Sequence, residues 1–264
     1  MAPSASTSSG TWCARSTTAG TGRLPASSSA AESPASAACA GPAGGRPAAC
    51  GPESERVLAF DADWILVCKP AGLLAVPGRD EDKADCLVTR LQGRWPDALT
   101  VHRLDQATSG LMVFARGAEA QRRLSRAFAE RQVDKHYEAV VEGRLEGPGP
   151  AEPPARIDLP LGADWPQRPR QKVDPLHGKP ALTLWHRLGA GPGPGLATRL
   201  ELRPLSGRTH QLRLHLAAIG HPILGDALYG DPGRAGRLLL HATRLELEHP
   251  RHGTRCIWHD PAPF

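Results

Sequence analysis

A break in composition near residue 52 decides how much of this 264-residue chain can fold. Ser, Ala and Gly fill 31 of the first 52 positions, and beyond Met1 the large apolar side chains there are Trp12 and Leu24 alone. Such a segment cannot bury enough surface to offset the entropy of ordering it. Residues 1–52 are therefore expected to be a disordered, low-complexity segment. Their Ser-rich, acid-poor make-up is only loosely like an organelle transit peptide, because no amphipathic pattern runs through it. Residues 53–264 suffice for one domain with a core of its own, since 40% of the chain is apolar.

Within that domain, order is expected to begin near Val57. "VLAFDADWILVCKPAGLLAVPG" reads as two short strands, with turns at Asp61-Ala62-Asp63 and at Lys69-Pro70-Ala71-Gly72. "ADCLVTRLQGRW" (84–95) has helical spacing and is stopped by Pro96. "GLMVFA" is an unbroken apolar run, the mark of a buried strand. Residues 117–131 form a helical pattern with Leu124, Ala127 and Phe128 inward and Arg122, Arg123 and Arg126 outward. "KHYEAVVEGRL" alternates with period two, so Tyr137, Ala139 and Val141 share a face. "ATRLELRPL" is a further strand, and "EGPGPAEPPA" and "GAGPGPG" are loops. "THQLRLHLAAIGHP" (209–222) fits a strand through Leu212, Leu214 and Leu216, or a helix through Leu212, Leu216 and Ile219. Thr209 as N-cap, Gly220 as C′ and Pro222 as stop favour the helix, with Arg213 beside the apolar stripe. Strands and helices mix without a regular βα repeat. The fold class is thus α+β, a mixed and mostly antiparallel sheet with flanking helices.

Several functions lack their residues. None of the six cysteines forms a C-x-x-C pair, no G-x-G-x-x-G or P-loop follows a strand, and no apolar run approaches a membrane span. We expect no metal, no cofactor, no membrane and a monomer in a reducing cytoplasm. His210, His215, His221 and His241 are taken as structural histidines. The net charge of +5 and pI near 9.1 suit a polyanionic partner without requiring one.

One stretch carries chemistry. "VHRLDQATSG" (101–110) sets Asp105 between cations and a turn, just ahead of the buried strand. A carboxylate so placed is expected to stay ionised, which suits attack or proton abstraction better than proton donation. A surface ion pair or an Asx-turn through Asp105 fits the same spacing.

"HRLDQATSGLMVFAR" resembles the signature of the RluA-type pseudouridine synthases. So, in family order, do "CKPAGLLAVPG", "KHYEAVVEG", "RPLSGRTHQLRLHLAAIGHPILGDALYG" and "LLLHATRLELEHP". The resemblance spans Val57 to Phe264. It implies the pseudouridine synthase fold, with a central basic RNA-binding cleft, and isomerisation of uridine in RNA without cofactor or metal. By the same resemblance Asp105 is the essential carboxylate, which either adds to the nucleoside or abstracts the ribose C2′ proton. Tyr137 packs on the target uracil and is a candidate to help remove the C5 proton. Arg213 pairs with Asp105, and Arg103 fills the gap left by the flipped nucleotide. His102, Arg168, Arg170, Lys172 and Arg208 are the further RNA contacts. "DLPLGADWPQRPRQKV" and "GKPA" resemble the branch that acts on both large-subunit (23S) rRNA and a tRNA anticodon stem-loop. An rRNA-only synthase, or a non-catalytic RNA-binding protein on the same fold, are the alternatives.

Overall fold

The computed structural model describes residues 55–78, 84–192 and 196–264. The segment 1–52 lies outside the described residues, as do residues 193–195 of the second Pro/Gly loop. In chain order the elements are β1 (Arg56–Phe60), β2 (Trp64–Lys69), α1 (Leu87–Gln92), β3 (Ala98–Thr100), β4 (Ser109–Arg116), α2 (Gly117–Ala129) and β5 (Asp134–Glu142). There follow β6 (Ala155–Asp158), β7 (Leu161–Ala163), β8 (Gln171–Val173), β9 (Leu182–Ala190), β10 (Ala197–Pro204), α3 (Gln211–Ala218), β11 (Leu240–Glu248) and β12 (Arg255–His259).

Ten strands form one sheet in the order β1-β2-β4-β11-β5-β10-β9-β6, with β3 added on β4 and β12 on β11. The β4–β11 pair is parallel and its other pairings are antiparallel, so the expected mixed, mostly antiparallel sheet is what forms. β7 and β8 make a separate hairpin. The β1–β2 turn falls where expected: Asp61 Oδ1 accepts the N–H groups of Asp63 and Trp64 at 2.7 and 2.9 Å. β4 is buried on both faces except at Arg116, which is why its run is unbroken rather than alternating.

The predicted inner face of α2 packs as read, with Leu124, Ala127 and Phe128 in one cluster with β2 and β4. On its outer face Arg122 and Arg123 both pair with Glu119. On β5, Tyr137, Ala139 and Val141 join Leu200 and Leu202 of β10 and Leu212 and Leu216 of α3 in a second cluster. Each such fully buried leucine stabilises the fold by roughly 1.5–3 kcal/mol.

Gly110 fixes the register where the parallel pair begins. It faces Ala242 with φ +114°, and a Cβ there would lie 2.8 Å from the Ala242 Cα and closer still to its N and O. Only glycine permits both that dihedral and that approach.

α3 is a helix, but it does not start as expected. Thr209 is not its N-cap. His210 holds that position in the left-handed region, φ +54°, with no side-chain cap. The Gln211 side chain reaches back instead, its Oε1 accepting from the Arg208 N–H at 3.0 Å and the Ser206 hydroxyl at 2.8 Å. The far end matches the reading. Gly220 has φ +85°, its N–H donates to Ala217, and that of His221 to Leu216, a Schellman closure. Arg213, beside the apolar stripe as read, is itself buried. It is 4% exposed, because α3 is buried nearly all round.

Candidate active site

Three elements converge on one cavity of about 590 Å³: the turn leading into β4, the middle of β5, and the first turn of α3. Asp105, Arg103, Lys135, Tyr137, His210 and Arg213 all line it. Five of these six side chains can carry positive charge or a phenol proton, against one carboxylate. The site therefore suits an anionic ligand.

Asp105 sits at the start of a tight turn, its carbonyl accepting the Thr108 N–H at 3.1 Å. The turn is stitched to the Lys69-Pro70-Ala71-Gly72 loop. The Gly72 N–H donates to Gln106 O at 2.8 Å, and Gln106 Nε2 returns a bond to Gly72 O at 3.0 Å. Beneath them lies Lys69, fully buried, its Nζ donating to the carbonyls of Pro70, Leu73 and Gln106 at 2.8, 2.8 and 3.0 Å. Three acceptors use all three protons of an ammonium. Burial pushes Lys69 down to about 7, and the nearby charge of Asp105 opposes that shift. Lys69 thus welds the two loops together behind the carboxylate.

The partner expected for Asp105 is present, but at one remove. Arg213 Nη1 lies 3.7 Å from Asp105 Oδ2, while its Nε and Nη2 grip Asp226 at 2.8 and 2.6 Å. Arg213 is therefore paired first with Asp226 and only faces Asp105. Asp226 is fully buried and also accepts the N–H groups of Leu228 and Tyr229. Burial alone would raise its carboxyl, but the bonds and charge of Arg213 outweigh that and hold it low. Bidentate pairing is the strongest geometry available to a guanidinium, so Asp226 fixes where Arg213 points. The "GDALYG" turn carried no signal of this partnership beyond the presence of an acid.

His210, read as structural, belongs to the site. Its Nε2 lies 4.0 Å from Asp105 Oδ1 and its Nδ1 is 2.8 Å from the Tyr229 hydroxyl. That hydroxyl already accepts the Gln171 N–H at 2.7 Å. The same hydroxyl thus ties the β7–β8 hairpin to the His210 ring, which holds the ring with Nε2 toward Asp105. Burial lowers the His210 pKa, in keeping with a neutral ring. His210 is a non-glycine residue at positive φ, a conformation that costs backbone strain. The other three of the histidines read as structural lie outside the cavity lining and are hydrogen-bonded. His215 bonds Thr183 and Leu159, His221 bonds Glu142 O, and His241 bridges Ser109 and Asp260.

Tyr137 lies in the cavity with its phenol pushed up by burial and by the Asp105 charge, so it stays protonated. Arg103 is exposed at the cavity wall and makes no ion pair among the described residues. His102 departs from its expected part. Its Nε2 accepts the Val113 N–H at 3.1 Å, its ring stacks on Phe128 at 4.3 Å, and burial pushes it down to about 3. It brings no positive charge to RNA and acts as a wall. Lys135, missed in the sequence, lines the cavity too, with burial lowering its pKa. Arg208 is on the wall, its Nε donating to Pro180 O at 3.2 Å. Arg168, Arg170 and Lys172 are not in the cavity. They ride on the β7–β8 hairpin, which Tyr229 ties to His210.

A mixed sheet carries a cationic cleft with one carboxylate at its wall, an arrangement suited to acid–base or nucleophilic chemistry on an anionic substrate. Residues 63–218 match the RNA pseudouridylate synthase family, and the chain belongs to it. It is 46% identical over 212 residues to the dual-specificity RNA pseudouridine synthase RluA of Escherichia coli (strain K12), covering 79% of this chain and 94% of that protein. To the enzyme of the same name from Pasteurella multocida (strain Pm70) it is 44% identical over 197 residues, 74% and 87% of the two chains. Among solved structures, human RNA pseudouridylate synthase domain containing 1 superposes with a TM-score of 0.66 at 29% identity, over 82% of this chain and 87% of that one. The chain is thus an isomerase that converts uridine in RNA to pseudouridine. No helix among the described residues is long and apolar enough to cross a membrane.

Proposed function

We propose that this enzyme isomerises uridines in both large-subunit (23S) rRNA and a tRNA anticodon stem-loop, with Asp105 as the reacting carboxylate. The observation that carries the assignment is Asp105 itself, at the floor of a cationic cavity with Arg213 3.7 Å away and held off by Asp226. The carboxylate is oriented without being consumed in a direct ion pair. The reaction breaks N1–C1′, turns the uracil and rejoins it through C5, so that C5 gives up a proton and N1 gains one. In this reading Asp105 starts it by attack or by removing the C2′ proton. The protonated Tyr137 phenol favours packing on the uracil over service as a standing base. Arg103 takes the space vacated by the flipped nucleotide, which costs a few kcal/mol and least in a loop. Lys135, Arg208 and the hairpin cations meet the backbone.

Support for the double specificity comes from the two dual-specificity relatives, which match nearly their full length. The same reading takes the enzyme as a cytoplasmic monomer, which sedimentation and fractionation test. The decisive assay is tritium release from C5-labelled uridine, with an unmodified anticodon stem-loop and with a large-subunit rRNA fragment. Release from both, abolished by Asp105→Ala, is the expected result. Release from rRNA alone refutes the double specificity. Activity surviving in Asp105→Ala refutes the role of Asp105.

A further inference from the structure

We propose that Trp165, with Arg168 stacked on it, is a docking platform for an unpaired nucleobase of the substrate RNA, outside the catalytic cavity. This rests on the reading above that the cations of the β7–β8 hairpin meet the RNA backbone.

Trp165 begins a single 3-10 turn, Trp165–Gln167, at the hairpin tip. It is 67% exposed, whereas Trp64, Trp95 and Trp185 are buried in core clusters and Trp258 packs edge-on against Trp64. A lone exposed apolar side chain is ordinary and proves nothing. Its surroundings are what point to a ligand. The Arg168 guanidinium carbon lies 3.4 Å from the centre of the Trp165 ring, and that of Arg170 lies 5.4 Å from the centre of the Tyr229 ring. Neither arginine has a carboxylate partner among the described residues, while nearby Lys172 has Asp174 at 3.8 Å.

A guanidinium lying over an exposed indole gives a flat aromatic surface that carries positive charge. Its match is a flat ring on an anionic chain: a nucleobase on its phosphodiester backbone. A protein partner would ask for a contiguous apolar patch. Here the exposed neighbours are Pro166, Gln167, Arg168, Pro169 and Arg170, so the two prolines are interrupted by an amide and flanked by cations.

The platform is also joined to the chemistry. Ala163 pairs with Gln171 at the rung just below the turn, and the Gln171 N–H donates to Tyr229 Oη, which bonds His210 on the cavity wall. Trp165 is two residues beyond that rung, a reach of roughly 7 Å along the chain. A base stacked there belongs to the same RNA as the flipped uridine, a few nucleotides away.

The test uses the full chain, its Trp165→Phe and Trp165→Ala variants, and the unmodified anticodon stem-loop. Titrating that RNA into wild type should quench tryptophan fluorescence. Trp165→Phe should lose most of the quench yet keep KM within about twofold, since phenylalanine still stacks. Trp165→Ala should raise KM about tenfold, the order of one lost base stack, with kcat within twofold and the melting temperature unchanged. An unaltered KM in Trp165→Ala, or an undiminished quench in Trp165→Phe, overturns the platform. Should wild type turn over neither RNA, the assignment of substrates fails. Quenching by a single-stranded oligouridine, present in wild type and lost in Trp165→Phe, still decides the platform.

Discussion

Asp226→Asn isolates what the geometry asks of the second carboxylate. The substitution keeps the size of the side chain and one carbonyl acceptor for Leu228 and Tyr229, but removes the charge that grips Arg213. Removing one partner from a buried ion pair costs about 3–5 kcal/mol. With one acceptor kept, the lower end applies, and for a domain of this size that is a fall of roughly 6–12 °C in Tm. The effect on rate follows from where the guanidinium goes next. Asp105, at 3.7 Å, is then the carboxylate left in reach. Closing that gap to about 2.8 Å strengthens the attraction by roughly 1.5 kcal/mol at an effective dielectric of about 20. Asp105 must give this up before it can react, which lowers kcat about tenfold. Tritium release at a temperature where both proteins are folded, with calorimetry on each, measures the two effects separately. A Tm loss with unchanged kcat would show that Asp226 only stabilises the fold. No change in either would sink the argument that Asp226 sets the position of Arg213.

Two further outcomes follow from the structure. Gly110→Ala forces a side chain into the Ala242 backbone at a positive φ, so a loss of at least about 2–4 kcal/mol is expected in urea unfolding; a stable variant would mean the β4–β11 pair is looser than described. His102, pushed down from 6.5 to about 3, stays neutral in the fold while the unfolded chain takes up its proton. Its contribution to stability is therefore fully present above pH 6.5 and lost as pH falls toward 3, by up to about 1.4 kcal/mol per unit. His102→Gln should lose less stability than wild type over that window, and parallel pH curves would exclude a buried neutral imidazole.

The local patterns of the chain specified most elements. The apolar run of β4, the alternation of β5, the two-sided face of α2 and the Gly220 closure of α3 each follow from contacts within a few residues. Asp105, Tyr137 and Arg213 were legible through motif resemblance, and one cavity does collect them. Other features depended on residues far apart in sequence. The parallel pairing sets Ser109 against His241. Arg213 could be placed on a helix, but not given Asp226 in preference to Asp105. His102 and His210 changed roles for the same reason, the one turned into a wall by Val113 and Phe128, the other brought to the carboxylate by Tyr229. Periodicity encodes which side of an element is buried, since that depends on its own spacing. What lies on the other side of the contact, and hence which charge faces which, is decided only when the sheet closes.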